Sequence, residues 1–287
     1  MVEGQEGVTW DAWLALARAA EDAGLDALFR SDHYRAILRG DGVGALDAWT
    51  LIAALAARTE RIRLGTLVSP VTFRPAPLLA KAVATADHVS GGRVELGLGA
   101  GWYEPEHALY GIPFPPTRER MDELDRQLDV ITRQWSDDDP LVLPKPVQRP
   151  RPPIIIGGTG KPRTVRAAVR HADEYNGVYP TVDEARALRA TIDEAARAVG
   201  REPLRLSMMC DCVVARDAGE LHERLGAWRS ITGREHGLPV VSGTVDEVAA
   251  GLRAYADAGV ERVMLQHLCH EDVDMVALLG ELGRAIG

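Results

Sequence analysis

The sequence predicts a (β/α)8 TIM barrel, an α/β fold forming one domain over residues 1–287 with insertion loops at its C-terminal mouth. Short runs rich in Val, Ile and Leu alternate with longer stretches whose apolar residues recur at helical spacing. The helix-to-strand joint Asp22-Ala23-Gly24-Leu25 is echoed far along the chain by Asp257-Ala258-Gly259-Val260. With 46% hydrophobic but only 5% aromatic residues, a large core must be filled mainly by Ala, Leu and Val, which suits helices packed on a parallel sheet. Strict alternation implies right-handed crossovers, and repeated units of this kind close a barrel; an open doubly wound sheet is the competing arrangement.

Each element has a local reason. A stub strand is expected at 1–3. Trp10, Trp13, Leu14, Ala17 and Ala20 share a face of a helix over 10–23, opened by Thr9 and closed by Gly24, and a strand follows at 25–29. The same grammar gives a helix at 47–59 and a strand at 62–68, then a helix opened by Pro75 and Pro77 and a strand at 94–98. Further on come a helix at 118–135, a strand at 153–156, a helix at 162–172 and a strand at 174–178. The last third supplies a helix at 182–199, a strand at 204–214, helices at 217–230 and 245–258, a strand at 260–266 and a helix at 271–286. Residues 137–152 are rich in Asp and Pro without periodicity and read as a long excursion over the mouth. The first strand is short, which suggests a native start upstream of Met1.

A net charge of −9 gives no basic surface for nucleic acid or anionic membranes. No apolar run approaches the roughly 18 residues of a membrane span, and Glu3 and Glu6 are unlike a signal peptide, so a cytoplasmic location is expected. Cys210, Cys212 and Cys269 are too few for a disulfide framework. They read as buried packing residues, a metal site with His267 and His270 being the weaker reading, and no metal is expected.

Chemistry in such a barrel sits where strands end. Gly157-Gly158-Thr159-Gly160 runs from a strand into a helix, so its amides can converge on a phosphate, with Lys161 and Arg163 nearby; equally, its glycines serve a tight turn. Gly97, Gly99 and Gly101 alternate and leave one face bare, against which a flat ring can pack with Trp102 as a wall. As a dinucleotide fingerprint this run is weak, because the third glycine is missing. His33, next to Asp32, can exchange a proton near neutral pH or act as a structural hydrogen-bonder.

Together these stretches resemble the luciferase-like monooxygenase superfamily, particularly its branch dependent on the deazaflavin coenzyme F420. Over nearly the whole chain the resemblance rests on Ser31-Asp32-His33, Arg63 to Pro70, Phe73-Arg74-Pro75-Ala76, Asp87 to Trp102, the glycine tetrad, and Ala172-Asp173-Glu174-Tyr175-Asn176. It implies F420, or alternatively FMN, lying across the mouth, backed by a bulge with a non-prolyl cis peptide at Leu67–Val68. The cofactor-binding set it implies is Asp32, His33, Thr66, Leu67, Val68, Ala100, Gly101, Trp102, Gly157, Gly158, Thr159 and Gly160. His33 and Asp32 would be catalytic, and Asn176 and Tyr179 would face a small-molecule substrate. A homodimer through the helices after the strands at 25–29 and 62–68 is also implied.

Some relatives that oxidise sugar phosphates carry a glutamate where this chain has Trp102, which argues against that reaction here. The expected activity is hydride transfer between F420 and an unidentified small organic substrate. The alternatives are an FMN-dependent monooxygenase and a barrel binding a phosphorylated metabolite without redox chemistry.

Overall fold

The computed structural model describes residues 1–40 and 42–286. Its strands are β1 (Ala27–Arg30), β2 (Arg63–Pro70), β3 (Val94–Gly99), β4 (Ile154–Gly158), β5 (Glu174–Val178), β6 (Arg205–Ala215), β7 (Val241–Thr244) and β8 (Arg262–Gln266). Its α-helices are α1 (Trp10–Asp22), α2 (Ala48–Ala56), α3 (Ala76–Ser90), α4 (Glu104–Tyr110), α5 (Thr117–Trp135), α6 (Pro162–His171), α7 (Val182–Ala198), α8 (Ala218–Thr232), α9 (Val245–Asp257) and α10 (Val273–Ile286).

Strands β1 to β6 pair in sequence order and all in parallel. Strand β6 then divides its partners: Ser207 to Asp211 pair with β8, while Cys212 to Ala215 pair with β7. The expected stub at 1–3 is a single bridge rather than a strand. Val2 bridges Arg30 of β1, the His267 amide donates to the Met1 carbonyl at 2.9 Å, and the chain turns at once into a 3-10 helix at Gly4–Glu6. That bridge closes the barrel between β8 and β1.

Local chemistry explains the helices. Thr9 caps α1 with its hydroxyl, and Thr181 with Glu184 and Thr244 with Glu247 form reciprocal capping boxes that satisfy first-turn amides. Apolar stripes such as Leu79, Val83 and Ala86 of α3 are buried against the sheet, and each fully buried aliphatic side chain contributes about 1.5–3 kcal/mol.

Two elements escape the sequence pattern. Strand β7 has a single apolar residue, Val241, before Ser-Gly-Thr, and it lies outside the closed barrel. Helix α4 spans barely two turns and shows no clear periodicity. The excursion at 137–152 is also elsewhere than expected. It packs on the C-terminal end of α3 and the start of β3, where the Val147 and Gln148 amides donate to Asp87 and the Gln148 side chain donates to the Val94 carbonyl. Helix α5 has already carried the chain back to the floor of the barrel, so this loop covers the end opposite the mouth. The mouth is covered instead by the segments after β1 and β3.

The bare face of β3 has a different use from the one expected. A Cβ on Gly97 would lie 2.0 Å from the Thr66 carbonyl oxygen, and one on Gly99 would lie 2.8 Å from Val68 Cγ2. The glycines therefore receive the bulge of β2, where the register slips between Thr66 and Ser69 and the Leu67–Val68 peptide is cis. Gly97→Ala is expected to cost about 2–3 kcal/mol, because the clash is with backbone that no rotamer change relieves. Thermal unfolding checks this, and an unchanged Tm would contradict the packing described.

Candidate active site

A cavity of about 630 Å³ opens at the C-terminal ends of the strands. Of the expected residues it brings together His33, Leu67, Val68, Ala100, Gly101, Trp102, Gly157, Asn176 and Tyr179 on its lining. It leaves out Asp32, Thr66, Gly158, Thr159 and Gly160. Glu3, a weaker proton-donor candidate in the sequence, and Gln5 also line it, and the sequence reading missed Glu106, Asp211 and Gln266, which line it as well.

Asp32 is not the partner of His33. It is 1% exposed, and its carboxylate accepts from Ser69 Oγ at 2.6 Å and from Arg74 Nη1 at 2.6 Å. Arg74 also donates to Asp47 at 2.5 Å and to the Tyr34 hydroxyl at 2.9 Å, while Tyr34 stacks on Phe73 with ring centroids 4.8 Å apart. Burial alone would raise the Asp47 carboxyl, but the Thr50 amide and the Arg74 charge hold it far below its ordinary value. Asp32 thus fastens the segment after β1 to the bulge. Thr66, fully buried, donates to the Gly97 carbonyl at 2.9 Å and lies 3.2 Å from Ser69 Oγ, so it shapes the bulge from behind.

His33 is held by α4. Its Nδ1 lies 2.7 Å from Oε1 of Glu106, whose other oxygen accepts the Tyr34 amide at 3.0 Å. Trp102 and Tyr103 flank the imidazole edge-on at centroid distances of 5.7 and 6.0 Å. Burial works against the charged ring, yet the hydrogen bond and charge of Glu106 outweigh it and raise the His33 pKa. Because a carboxylate only accepts, Nδ1 carries the hydrogen, which leaves Nε2 as the ring nitrogen that can gain or lose a proton.

The glycine tetrad leads out of the cavity. Gly157 lines it, whereas Gly158 to Gly160 lie beyond, at the start of α6, with the Gly160 amide donating to the Tyr175 hydroxyl at 3.0 Å. A side chain on Gly158 would press on that hydroxyl at 3.0 Å and on Thr164 at 3.2 Å. Arg163 is turned away onto Asp122 and Asp125 of α5, so only Lys161 remains as a nearby cation of the expected pair.

Cys210 and Cys212 are buried, and burial holds the Cys212 thiol up at about 12. His267 and His270 are buried too, and desolvation lowers them to about 4 and about 3, so both are neutral at physiological pH. No helix among the described residues is long and apolar enough to cross a membrane.

The model for luciferase-like monooxygenases matches residues 2–238. The chain belongs to that family. As a member it is an enzyme, and its similarity extends to individual proteins. It is 32% identical over 237 residues to an uncharacterised protein of Mycobacterium tuberculosis (strain ATCC 25618 / H37Rv), covering 78% of this chain and 77% of that one. It is 28% identical over 307 residues to the F420-dependent glucose-6-phosphate dehydrogenase of Nakamurella multipartita, covering 93% and 89%. An F420-dependent secondary alcohol dehydrogenase, solved with an F420-acetone adduct, superposes with a TM-score of 0.78 at 19% identity over 96% of this chain and 94% of that one. This last likeness establishes the luciferase-like barrel fold.

Proposed function

We propose that this enzyme is an oxidoreductase transferring a hydride between coenzyme F420 and a small organic substrate, with His33 carrying the accompanying proton. The observation that carries the reading is the His33–Glu106 pair at 2.7 Å on a cavity backed by the β2 bulge. Relatives named as F420-dependent, aligned over most of the chain, support the choice of cofactor.

The lining suits a tricyclic ring. Leu67 and Val68 give a flat apolar wall, Gly99, Ala100 and Gly101 supply an edge of small residues, and Gly157 opens toward the amides at the start of α6. The residues that would hold the cofactor are these, together with Trp102 at the rim and Gly158, Thr159 and Gly160 along its phosphate-bearing tail. When bound, a deazaflavin supplies two-electron hydride chemistry only.

The chain's own residues handle the rest. Glu106 fixes the tautomer of His33, so protonated Nε2 donates to a developing alkoxide, and neutral Nε2 receives a proton from an alcohol. The apolar walls keep water from the reacting atoms.

The family description favours a second reading, an FMN-dependent monooxygenase. Fluorescence and absorbance titrations with F420 and FMN separate the two. Tight F420 binding with weak FMN binding is the expected result; the reverse would establish the monooxygenase reading, and binding of neither would overturn both.

A further inference from the structure

On the wall of the cavity away from the bulge, a chain of buried polar side chains ends on one carboxylate. Glu3 Oε2 receives Gln5 Nε2 at 2.7 Å, and Glu3 Oε1 receives Gln266 Nε2 at 2.5 Å. The carbonyl of Gln5 in turn accepts from Ser31 Oγ at 2.5 Å, and the carbonyl of Gln266 accepts from the Tyr179 hydroxyl. Glu3, Gln5, Ser31 and Gln266 are 8%, 1%, 3% and 6% exposed, so water does not scramble their partners.

The direction of every bond follows from Glu3. A carboxylate has no hydrogen to give, so each glutamine must present its NH2 to Glu3 and its carbonyl outward. Each outward carbonyl then requires a hydroxyl hydrogen. Ser31 is completed by the Gly4 amide, which donates to its Oγ at 3.2 Å. Among the described residues Tyr179 has no such second partner, so its oxygen retains lone pairs toward the cavity and has no hydrogen left to offer.

Tyr179 is also the one described non-glycine residue with a positive φ, 48°, a backbone conformation found at sites where a side chain must be aimed. Burial and the nearby carboxylates of Asp211 and Glu3 hold its phenol protonated. Asp211 lines the same wall, and Arg234, at 3.6 Å from it, is the only Arg or Lys among the described residues of the lining.

We propose that Glu3 sets the polarity of this network so that Tyr179 Oη is an acceptor-only contact, and that the substrate is an uncharged molecule presenting a hydroxyl or N–H donor to it. A phosphate or carboxylate at that position meets a lone pair and the negative charge of Glu3, while the charge of Asp211 is answered in part by the exposed Arg234. The inference deepens the oxidoreductase reading and rests on it for treating the occupant as a substrate. Tyr179 is the contact residue, and Glu3 and Gln266 are positioning residues.

Three probes that share one ring isolate the claim: cyclohexanol, methoxycyclohexane and cyclohexyl phosphate. Their affinities are measured by calorimetry on the protein loaded with whichever of F420 or FMN it binds, so a wrong cofactor assignment leaves the ranking readable. Cyclohexanol is expected to bind about tenfold more tightly than the ether, the effect of one neutral hydrogen bond, and the phosphate more weakly than either.

Tyr179→Phe is expected to equalise alcohol and ether without weakening the ether. Glu3→Gln, which lets the network reverse, is expected to narrow the same ratio while Tyr179 stays in place. Equal affinity of the native protein for alcohol and ether, preference for the phosphate, or an undiminished ratio in Tyr179→Phe would each overturn the proposal.

Discussion

Replacing His33 by alanine is expected to lower kcat by about 10²–10³-fold, the usual contribution of a positioned acid or base, while cofactor affinity changes little. Cofactor affinity is expected to survive because the lining that would touch the ring comes chiefly from the bulge, the end of β3 and Gly157. Single-turnover kinetics beside a cofactor titration separate the two effects. A variant with native turnover would remove the proton-transfer role.

The Glu106→Gln substitution refines the test, since it keeps the shape but removes the charge that holds the His33 pKa up. In the direction of substrate reduction, the rate requires protonated His33 and falls as pH rises through its raised folded-state pKa. In Glu106→Gln that limb moves to lower pH. The ion pair also contributes to stability below the unfolded pKa of about 6.5 and ceases to do so as pH rises through the folded value.

The second large effect lies at the opposite end of the barrel. Arg262, at the start of β8, donates to Glu95 at 2.8 Å and to Glu174 at 3.0 Å, and its guanidinium lies 5.0 Å from the centre of the Phe29 ring. Burial raises both carboxyls. For Glu95, Arg262 and Arg63 outweigh burial and its pKa falls; for Glu174 burial prevails, with the Glu95 charge adding to it, and its pKa rises.

Arg262→Met leaves two facing carboxylates without their shared cation and is expected to cost about 3–5 kcal/mol. One of them then takes a proton more readily in the folded state than in the unfolded chain, so the deficit relative to native protein should shrink as pH falls. Urea unfolding at pH 5 and pH 8 reads this out. A loss below about 1 kcal/mol, or one equal at both pH values, would show that the cluster is not a coupled unit.

The strands and most helices were legible because continuous runs such as Ile154-Ile155-Ile156 and caps such as Thr181 with Glu184 act over a few residues. The position of the site was legible for the same reason, since barrel strand ends can be found once strands are found. Contacts made across the fold were not. Glu106 lies 73 residues from His33, on a helix too short to show a periodicity, while the adjacent Asp32 offered a false partner. The acidic residues flanking Pro105, just after a glycine-rich strand end, were the available signal. Alternating glycines in β3 disclosed a face without side chains, but sequence carries no record of whether ligand or backbone fills it. The glutamine residues of the polar wall have no distinguishing neighbours, and only the closed barrel brings them together.

The closing bridge at Val2 ties pocket assembly to synthesis. Glu3 meets Gln266 across a separation of 263 residues, so a chain still emerging from the ribosome lacks half of its carboxylate's partners until β8 has been made. Such a distant pairing also forms late in refolding, because a long loop must close first. Nascent or truncated chains without β8 therefore keep the Glu3–Gln5–Ser31 arm of the polar wall but lack the Gln266 arm that orients the Tyr179 hydroxyl.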